Sequence, residues 1–326
     1  MTAAPSSART APRKLAALGF AHLVLGWTAT VIAPLWVLLL APLFFGVPHV
    51  INDFRLLVLK PPAPVTKRLL LVVALPLTLL TALRGALLFG APHLPVVEVG
   101  LGFSAVWGAT WVATEGRSRL RSGLLPIVAA LGLVCASRPG FTALALGHGH
   151  NLVAVALWIA YMGRALVAPW VQALLGALFL ILSSSLLFGL VPFGSSASFA
   201  GLSFEGLRSA LAPGLAPGAG DQVVMSFAFA QLVHYSIWVF LLPACASANP
   251  APVGAPQIPP RAFEGFDFRG LAIGGIALIG LPALALLDAT GARSAYLSLV
   301  LFHGWLEVAL IIYWLAGRQK TEAREA

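Results

Sequence analysis

Five of the seven histidines lie deep within long apolar runs of the sequence, where an imidazole is costly unless it has a task. These five are His49, His148, His150, His234 and His303. Imidazole nitrogen is a good ligand for iron, copper and zinc. The residue type and its apolar setting therefore predict a metal site, with each of the five as a candidate ligand.

Two of these histidines have a carboxylate one helical turn away. Asp53 follows His49 by four residues and Glu307 follows His303 by the same spacing, so each pair shares a helix face. A carboxylate in this position fixes the tautomer of a ligating imidazole or binds the metal itself. Asp53 and Glu307 are accordingly predicted to orient ligands or to relay protons.

The histidines lie at similar depth in four separate apolar runs. Counted from the predicted outer end of each run they are about seven to twelve residues in, or roughly 10–18 Å at 1.5 Å per residue. This common depth favours one metal held by about four imidazoles over histidines that each bridge two helices through a hydrogen bond. His22, in the other half of the first run, is assigned to that bridging role.

The segment HGHN contains two candidate ligands only two residues apart. Residues at this spacing point about 200° apart on a helix. His148 and His150 therefore face one centre only if Gly147 and Gly149 loosen the helix. We favour His150 as the ligand because its depth matches the other runs best, with His148 as the substitute.

The composition identifies the elements that must hold these side chains. Of 326 residues, 59% are hydrophobic and 10% are charged, which is too apolar for a soluble domain. Because the apolar runs are continuous and do not alternate, the spanning elements are predicted to be helices. Basic residues in short loops between spans explain the net charge of +9 without a nucleic-acid partner. The fold class is all-α, a polytopic transmembrane helical bundle.

About ten spans are predicted, joined in one transmembrane domain over 15–316 between a basic tail at 1–14 and a tail at 317–326. The spans are 15–38, 40–59, 68–90, 94–114, 122–137, 141–162, 169–191, 222–246, 270–289 and 294–316. This map places most lysines and arginines on one side, so both termini are predicted to be cytoplasmic.

Two longer segments connect spans. In 192–221, Phe204, Leu207 and Leu211 share a helical face, which predicts either a short amphipathic helix in the membrane interface or a solvated loop. The segment 247–269 is rich in proline and is predicted to be an irregular connector.

Residues 46–53 read GVPHVIND, which resembles the G-[IV]-P-H-G-x-x-D signature of the bacterial β-carotene dioxygenase family of the Brp/Blh type. The matching positions are Gly46, Pro48, His49 and Asp53. Val50 stands where the signature has glycine. The resemblance implies a polytopic membrane protein that holds one iron through several histidines and cleaves β-carotene centrally with O₂ to give retinal. It also implies that His49 is an iron ligand and Asp53 its neighbour.

The family has two further histidine motifs, one on a middle helix and one on a late helix. HGHN at 148–151 resembles the first. In the second, which is a histidine pair four residues apart, His234 matches one position and Trp238 stands at the other. The resemblance leaves His303 or Glu307 to supply the remaining ligand.

The leading hypothesis is a mononuclear, non-haem iron oxygenase that uses Fe(II) and O₂ on a lipophilic substrate, such as a carotenoid or another lipid. Copper, zinc and haem b are alternatives to iron. We expect a multi-pass protein of the bacterial inner membrane. Its expected partners are membrane lipid and a lipophilic small molecule.

Two other functions fit the same residues. Paired histidines on facing helices suit a b-type haem electron-transfer protein. Charges within the membrane suit a proton-coupled transporter, whose relay groups would be Asp53, Arg55, Arg84, Glu98 and Glu307. A competing interpretation makes Arg84 and Glu98 a structural ion pair between adjacent helices.

Overall fold

The computed structural model describes residues 7–59, 66–165, 167–192, 198–199, 201–248 and 279–325. Its helices are α1 (Ser7–Ile32), α2 (Pro34–Phe54), α3 (Lys67–Leu87), α4 (Pro95–Ala113), α5 (Ser118–Ser137), α6 (Pro139–Arg164), α7 (Pro169–Leu187), α8 (Phe204–Leu211), α9 (Pro217–Ser236), α10 (Leu242–Ala248), α11 (Ala289–Leu299) and α12 (Leu301–Glu325). Residues 279–287 are also helical. A pair of two-residue antiparallel strands, β1 (Ser198–Phe199) and β2 (Leu202–Ser203), precedes α8.

Nine stretches of the described residues are long and apolar enough to cross a membrane. Large apolar side chains such as Leu71 and Leu75 are exposed on them, as suits contact with lipid. The predicted all-α transmembrane fold is confirmed. Of the tenth predicted span, 270–289, the part before residue 279 lies outside the described residues, as does 249–269 of the proline-rich segment.

Proline sets where several helices begin. Five of them start on Pro34, Pro95, Pro139, Pro169 or Pro217. A first-turn proline loses nothing there, because its missing N–H would have had no partner within the helix. Pro34 also accounts for the break between the first two spans, since α1 ends at Ile32. The sequence predicts this break between residues 38 and 40, and the structure has it six residues earlier.

Two helices widen into π-helical turns, at Arg55–Leu59 after α2 and at Ile237–Leu241 after α9. A third irregularity is a turn at Val300 between α11 and α12, inside a span predicted to be continuous. The Val300 carbonyl accepts hydrogen bonds from both the backbone N–H and the imidazole Nδ1 of His303. A side chain that competes for a helix carbonyl in this way favours a local break.

The chain divides into two compact units, unit 1 (1–52 and 151–293) and unit 2 (53–150 and 294–326). In unit 1, α9 packs against α1, α7 and α8. Phe179 on α7 stacks on Phe229 of α9 with ring centroids 5.6 Å apart. Half of the residues of α9 are buried, including His234. The prediction of a single domain over 15–316 stays a prediction.

In unit 2, α4 packs against α3, α5 and α12. The closest approach is at Gly102, where an added Cβ would lie 2.2 Å from the indole of Trp305. Phe103 meets the same indole edge to face, with ring centroids 5.2 Å apart. Trp305 thereby fixes the rotation of α12, and with it the direction of His303 two residues earlier.

Segment 192–221 contains the predicted short amphipathic helix, α8. Phe204 and Leu207 are buried and α8 packs on α9, so its apolar face contacts protein. Arg208 on α8 makes an ion pair with Asp221 on α9 at 2.8 Å. The amphipathic helix is therefore present, and a neighbouring helix covers the face that was expected to meet lipid.

Candidate metal centre

His49 on α2 and His234 on α9 form a buried imidazole pair in unit 1. They are 0% and 1% exposed, with ring centroids 5.2 Å apart and ring planes at 70°. One ring nitrogen of each lies within 4.8 Å of the other. Metal–imidazole bonds are about 2.0–2.1 Å long, so small side-chain rotations would let both nitrogens reach one metal. Tyr235 completes the cluster, with its ring centroid 4.7 Å from that of His49.

The hydrogen bond at Nδ1 determines which nitrogen of His49 could act as a ligand. Nδ1 lies 2.6 Å from the Gly46 carbonyl oxygen, which only accepts, so Nδ1 carries the proton. The neutral ring then has its lone pair on Nε2. A ligating histidine typically donates its other N–H to a carbonyl or carboxylate in this way. The bond also lies within GVPHVIND, because Gly46 and His49 both belong to it.

Asn52 connects α2 to the π turn after α9 by a hydrogen bond, a role that the sequence did not predict. In the π turn, the Leu242 N–H donates to Ile237, five residues back. The matching donor for the Trp238 carbonyl would be residue 243, a proline without an N–H. The buried Asn52 amide supplies it instead, at 3.0 Å. The available signal was a polar residue one helical turn from His49, together with Pro243 five residues after Trp238.

Asp53, one turn after His49 on α2, is a buried carboxylate. It is 1% exposed, and neither oxygen has a hydrogen-bond donor among the described residues. Buried polar atoms are nearly always hydrogen-bonded, so an exception calls for an explanation. A cation or a shared proton in the site would provide one.

His150 on α6 and His303 on α12 form a second imidazole pair, in unit 2. Their ring centroids are 5.3 Å apart with planes at 84°. His150 Nδ1 donates to the Leu146 carbonyl at 3.0 Å, and His303 Nδ1 to the Val300 carbonyl. Both neutral rings therefore carry the lone pair on Nε2, as His49 does. The preference for His150 within HGHN agrees with this placement beside His303.

The remaining predicted residues have distinct settings. Glu307 is fully buried on α12, one turn after His303. His148 is half-buried on α6. His22 stacks on Phe240 with ring centroids 5.3 Å apart, in a packing role. Among the aromatics around the candidate ligands, Tyr235 lies beside His49 and Phe302 lies beside His303, with ring centroids 4.7 Å and 6.5 Å apart.

The charges Arg84 and Glu98 form an ion pair of 3.1 Å between α3 and α4, as the structural interpretation predicts. The sequence predicted no role for His93, but its Nε2 lies 3.3 Å from the other carboxylate oxygen of Glu98. These three residues line a cavity of about 70 Å³. Leu146, which accepts the His150 hydrogen bond, forms part of its wall. At about 30 Å³ per water, the cavity has room for about two water molecules near the unit 2 pair.

Comparison with known proteins gives no family assignment. No family model, curated protein or solved structure matches this chain. The two imidazole pairs and their surroundings are therefore the features that indicate a function.

Proposed function

We propose that the chain binds a transition metal through its buried imidazoles and uses it to oxidise a lipophilic substrate with O₂. The observation that carries this proposal is the shared hydrogen-bonding of His49, His150 and His303. Each directs Nδ1–H to a carbonyl three or four residues earlier in the chain. This bond holds the ring in the tautomer and orientation that a metal ligand needs.

The donor set selects the class of metal. Imidazole nitrogens suit iron, copper and zinc, and the structure offers no thiolate beside them, since Cys135 and Cys245 are the only cysteines and neither is in the His49 or His150 cluster. Nitrogen ligands with a nearby carboxylate, Asp53, suit non-haem iron that activates O₂. The bound metal would supply the oxygen chemistry, and the protein would hold it in a dry, apolar setting.

The substrate class follows from the surroundings and from the resemblance. Helices with lipid-facing apolar surfaces give access to a molecule dissolved in the bilayer, and Tyr235 presents an aromatic ring beside His49. The resemblance of GVPHVIND to the β-carotene dioxygenase signature puts carotenoids first among such molecules. We place the protein in the bacterial inner membrane, with both termini in the cytoplasm.

The proposal is tested by expressing the chain in bacteria that synthesise β-carotene. We expect loss of the yellow colour and formation of retinal, both abolished by His49→Ala and by His234→Ala. His22→Ala is the matched control, because its ring stacks on Phe240 and should leave conversion unchanged. Unchanged carotenoid with wild-type protein that retains its metal would exclude this substrate and direct the search to other lipids.

The absorption spectrum separates the haem alternative from the same preparation. A non-haem site predicts purified protein without a Soret band. A Soret band that disappears in His49→Ala would replace the oxygenase proposal with haem-based electron transfer.

A further inference from the structure

A basic groove lies in unit 2 where α4 passes into α5. It has a volume of about 630 Å³, and its lining residues are Gly116, Arg117, Ser118, Arg121, Ser122, Leu125 and Pro126. Both helices are long and apolar enough to cross the membrane. The turn between them must therefore lie at a membrane surface, where lipid headgroups are.

Arg117 and Arg121 are each held in place by hydrogen bonds from one guanidinium nitrogen to backbone carbonyls. Arg117 Nη2 donates to the carbonyls of Ala113 and Ala316. Arg121 Nη2 donates to the Trp111 carbonyl, and its guanidinium stacks 4.3 Å above the Trp111 ring. A stacked, partly bonded guanidinium loses little further freedom when it binds an anion.

The same arginines have N–H donors that no group of the described residues accepts from. Arg117 Nε and Nη1 and Arg121 Nε are buried atoms without a hydrogen-bond acceptor among the described residues. Buried charged N–H groups are costly to leave unpaired. The acid nearest in sequence, Glu115, is engaged by Arg68 at 2.6 Å. The groove thus has an excess of positive charge and of donors.

The start of α5 adds to this excess. Its first turn has no side-chain cap, so its N–H groups and the positive end of the helix dipole face outward at Ser118. The hydroxyls of Ser118 and Ser122 line the same groove. Guanidinium, hydroxyl and helix N–H donors together form the usual set for a phosphate group.

We propose that this groove binds the phosphate of an anionic phospholipid. A lipid fits better than free phosphate because the groove continues into apolar surface. Leu125 and Pro126 are the apolar part of its lining, and Ile127 and Leu131 on α5 are exposed next to them, where acyl chains would lie. The inference does not depend on the metal centre.

The test is native mass spectrometry of the detergent-solubilised protein, titrated with phosphatidylglycerol, phosphatidylcholine or inorganic phosphate. We expect phosphatidylglycerol to bind at least tenfold more tightly than phosphatidylcholine, and inorganic phosphate more weakly than either. Ser118→Asp should lower phosphatidylglycerol binding at least tenfold. An acidic residue at that position stabilises the helix start, so the variant should keep its fold.

Arg121→Gln should give a similar loss. Arg119→Gln is the matched control, because this exposed arginine is absent from the groove lining and its loss removes the same charge. Equal losses from Arg119→Gln and Arg121→Gln would show diffuse charge attraction and overturn the proposal. Inorganic phosphate that binds as tightly as phosphatidylglycerol would assign the groove to a soluble anion instead, and so would also overturn it.

Discussion

His49, His150 and His303 share a device that residue type alone does not reveal. Each imidazole uses Nδ1 to hydrogen-bond a carbonyl three or four residues earlier in its own chain segment. The bond orients the ring along its helix and leaves Nε2 as the basic nitrogen. A histidine that merely bridged two helices through hydrogen bonds would need no imidazole neighbour. The pairing of His150 with His303 and of His49 with His234 therefore favours ligands.

Asp53→Asn tests whether the buried Asp53 carboxyl group supports metal binding while lowering the stability of the folded protein. Replacing a buried carboxyl group that has no hydrogen-bond donor among the described residues by an amide should leave the apparent Tm of the metal-free protein unchanged or raise it. The same change should weaken metal binding by about 10–100-fold, as loss of a ligand-orienting group does. Thermal unfolding and a metal titration measure the two effects. A large fall in Tm with unaltered metal affinity would make Asp53 a structural residue.

The π turn after α9 is an element-scale feature that depends on one side chain of another helix. Asn52→Leu keeps the number and branching of the side-chain heavy atoms and removes the donor to the Trp238 carbonyl. We expect a loss of about 1–3 kcal/mol in unfolding free energy, because a buried carbonyl is left without a partner. Ser104→Ala is the control, since that hydroxyl bonds only to Gly100 of its own helix on an exposed surface. Equal stability of both variants would show that Asn52 does not hold the turn.

The packing of α12 on α4 depends on the missing side chain of Gly102. Gly102→Ala should cost about 1–3 kcal/mol, because the new methyl group overlaps the Trp305 indole. Gly100→Ala, on the same helix with open space around it, should instead be neutral or stabilising. Denaturant unfolding of the two variants measures the contrast. Combining Gly102→Ala with Trp305→Phe should recover part of the loss, and failure to recover any would place the strain elsewhere.

The orientation of the whole chain in the membrane follows from its charge distribution. Ten spans with basic residues concentrated in alternate loops predict both termini in the cytoplasm. A green fluorescent protein fused after Ala326 should therefore be fluorescent in bacteria, and alkaline phosphatase at the same position should be inactive. The opposite result would require an odd number of spans or an N-terminus outside the cytoplasm.

Much of the fold was predictable because hydropathy and proline act locally. The apolar runs identified the helices, but the break between the first two was predicted at 38–40 and lies six residues earlier, at Pro34. Arg84 and Glu98 were predictable as an ion pair because neighbouring helices carry opposite charges near one end. The π turns were not predicted. The turn at Val300 was not predictable either, since no proline or glycine lies within three residues of Val300.

The site was predictable in type and less so in its contacts. Buried histidines in apolar runs could be recognised one by one, and helix depth grouped them. Which imidazoles meet depends on how each helix is rotated about its axis, and Trp305 in its groove at Gly102 sets that rotation for α12. The roles of Asn52 and His93 were not predicted, because each depends on a contact that only the folded chain shows.

The most direct test of the central claim is the metal content of purified protein, measured by elemental analysis of wild type and of single alanine variants. We expect about one iron per chain in wild type, as the common depth of the histidines in the sequence predicts. His49→Ala, His234→Ala, His150→Ala and His303→Ala should each lower the iron content, while His22→Ala retains it. Wild-type protein without a transition metal after reconstitution, or variants that all bind as wild type does, would contradict the account.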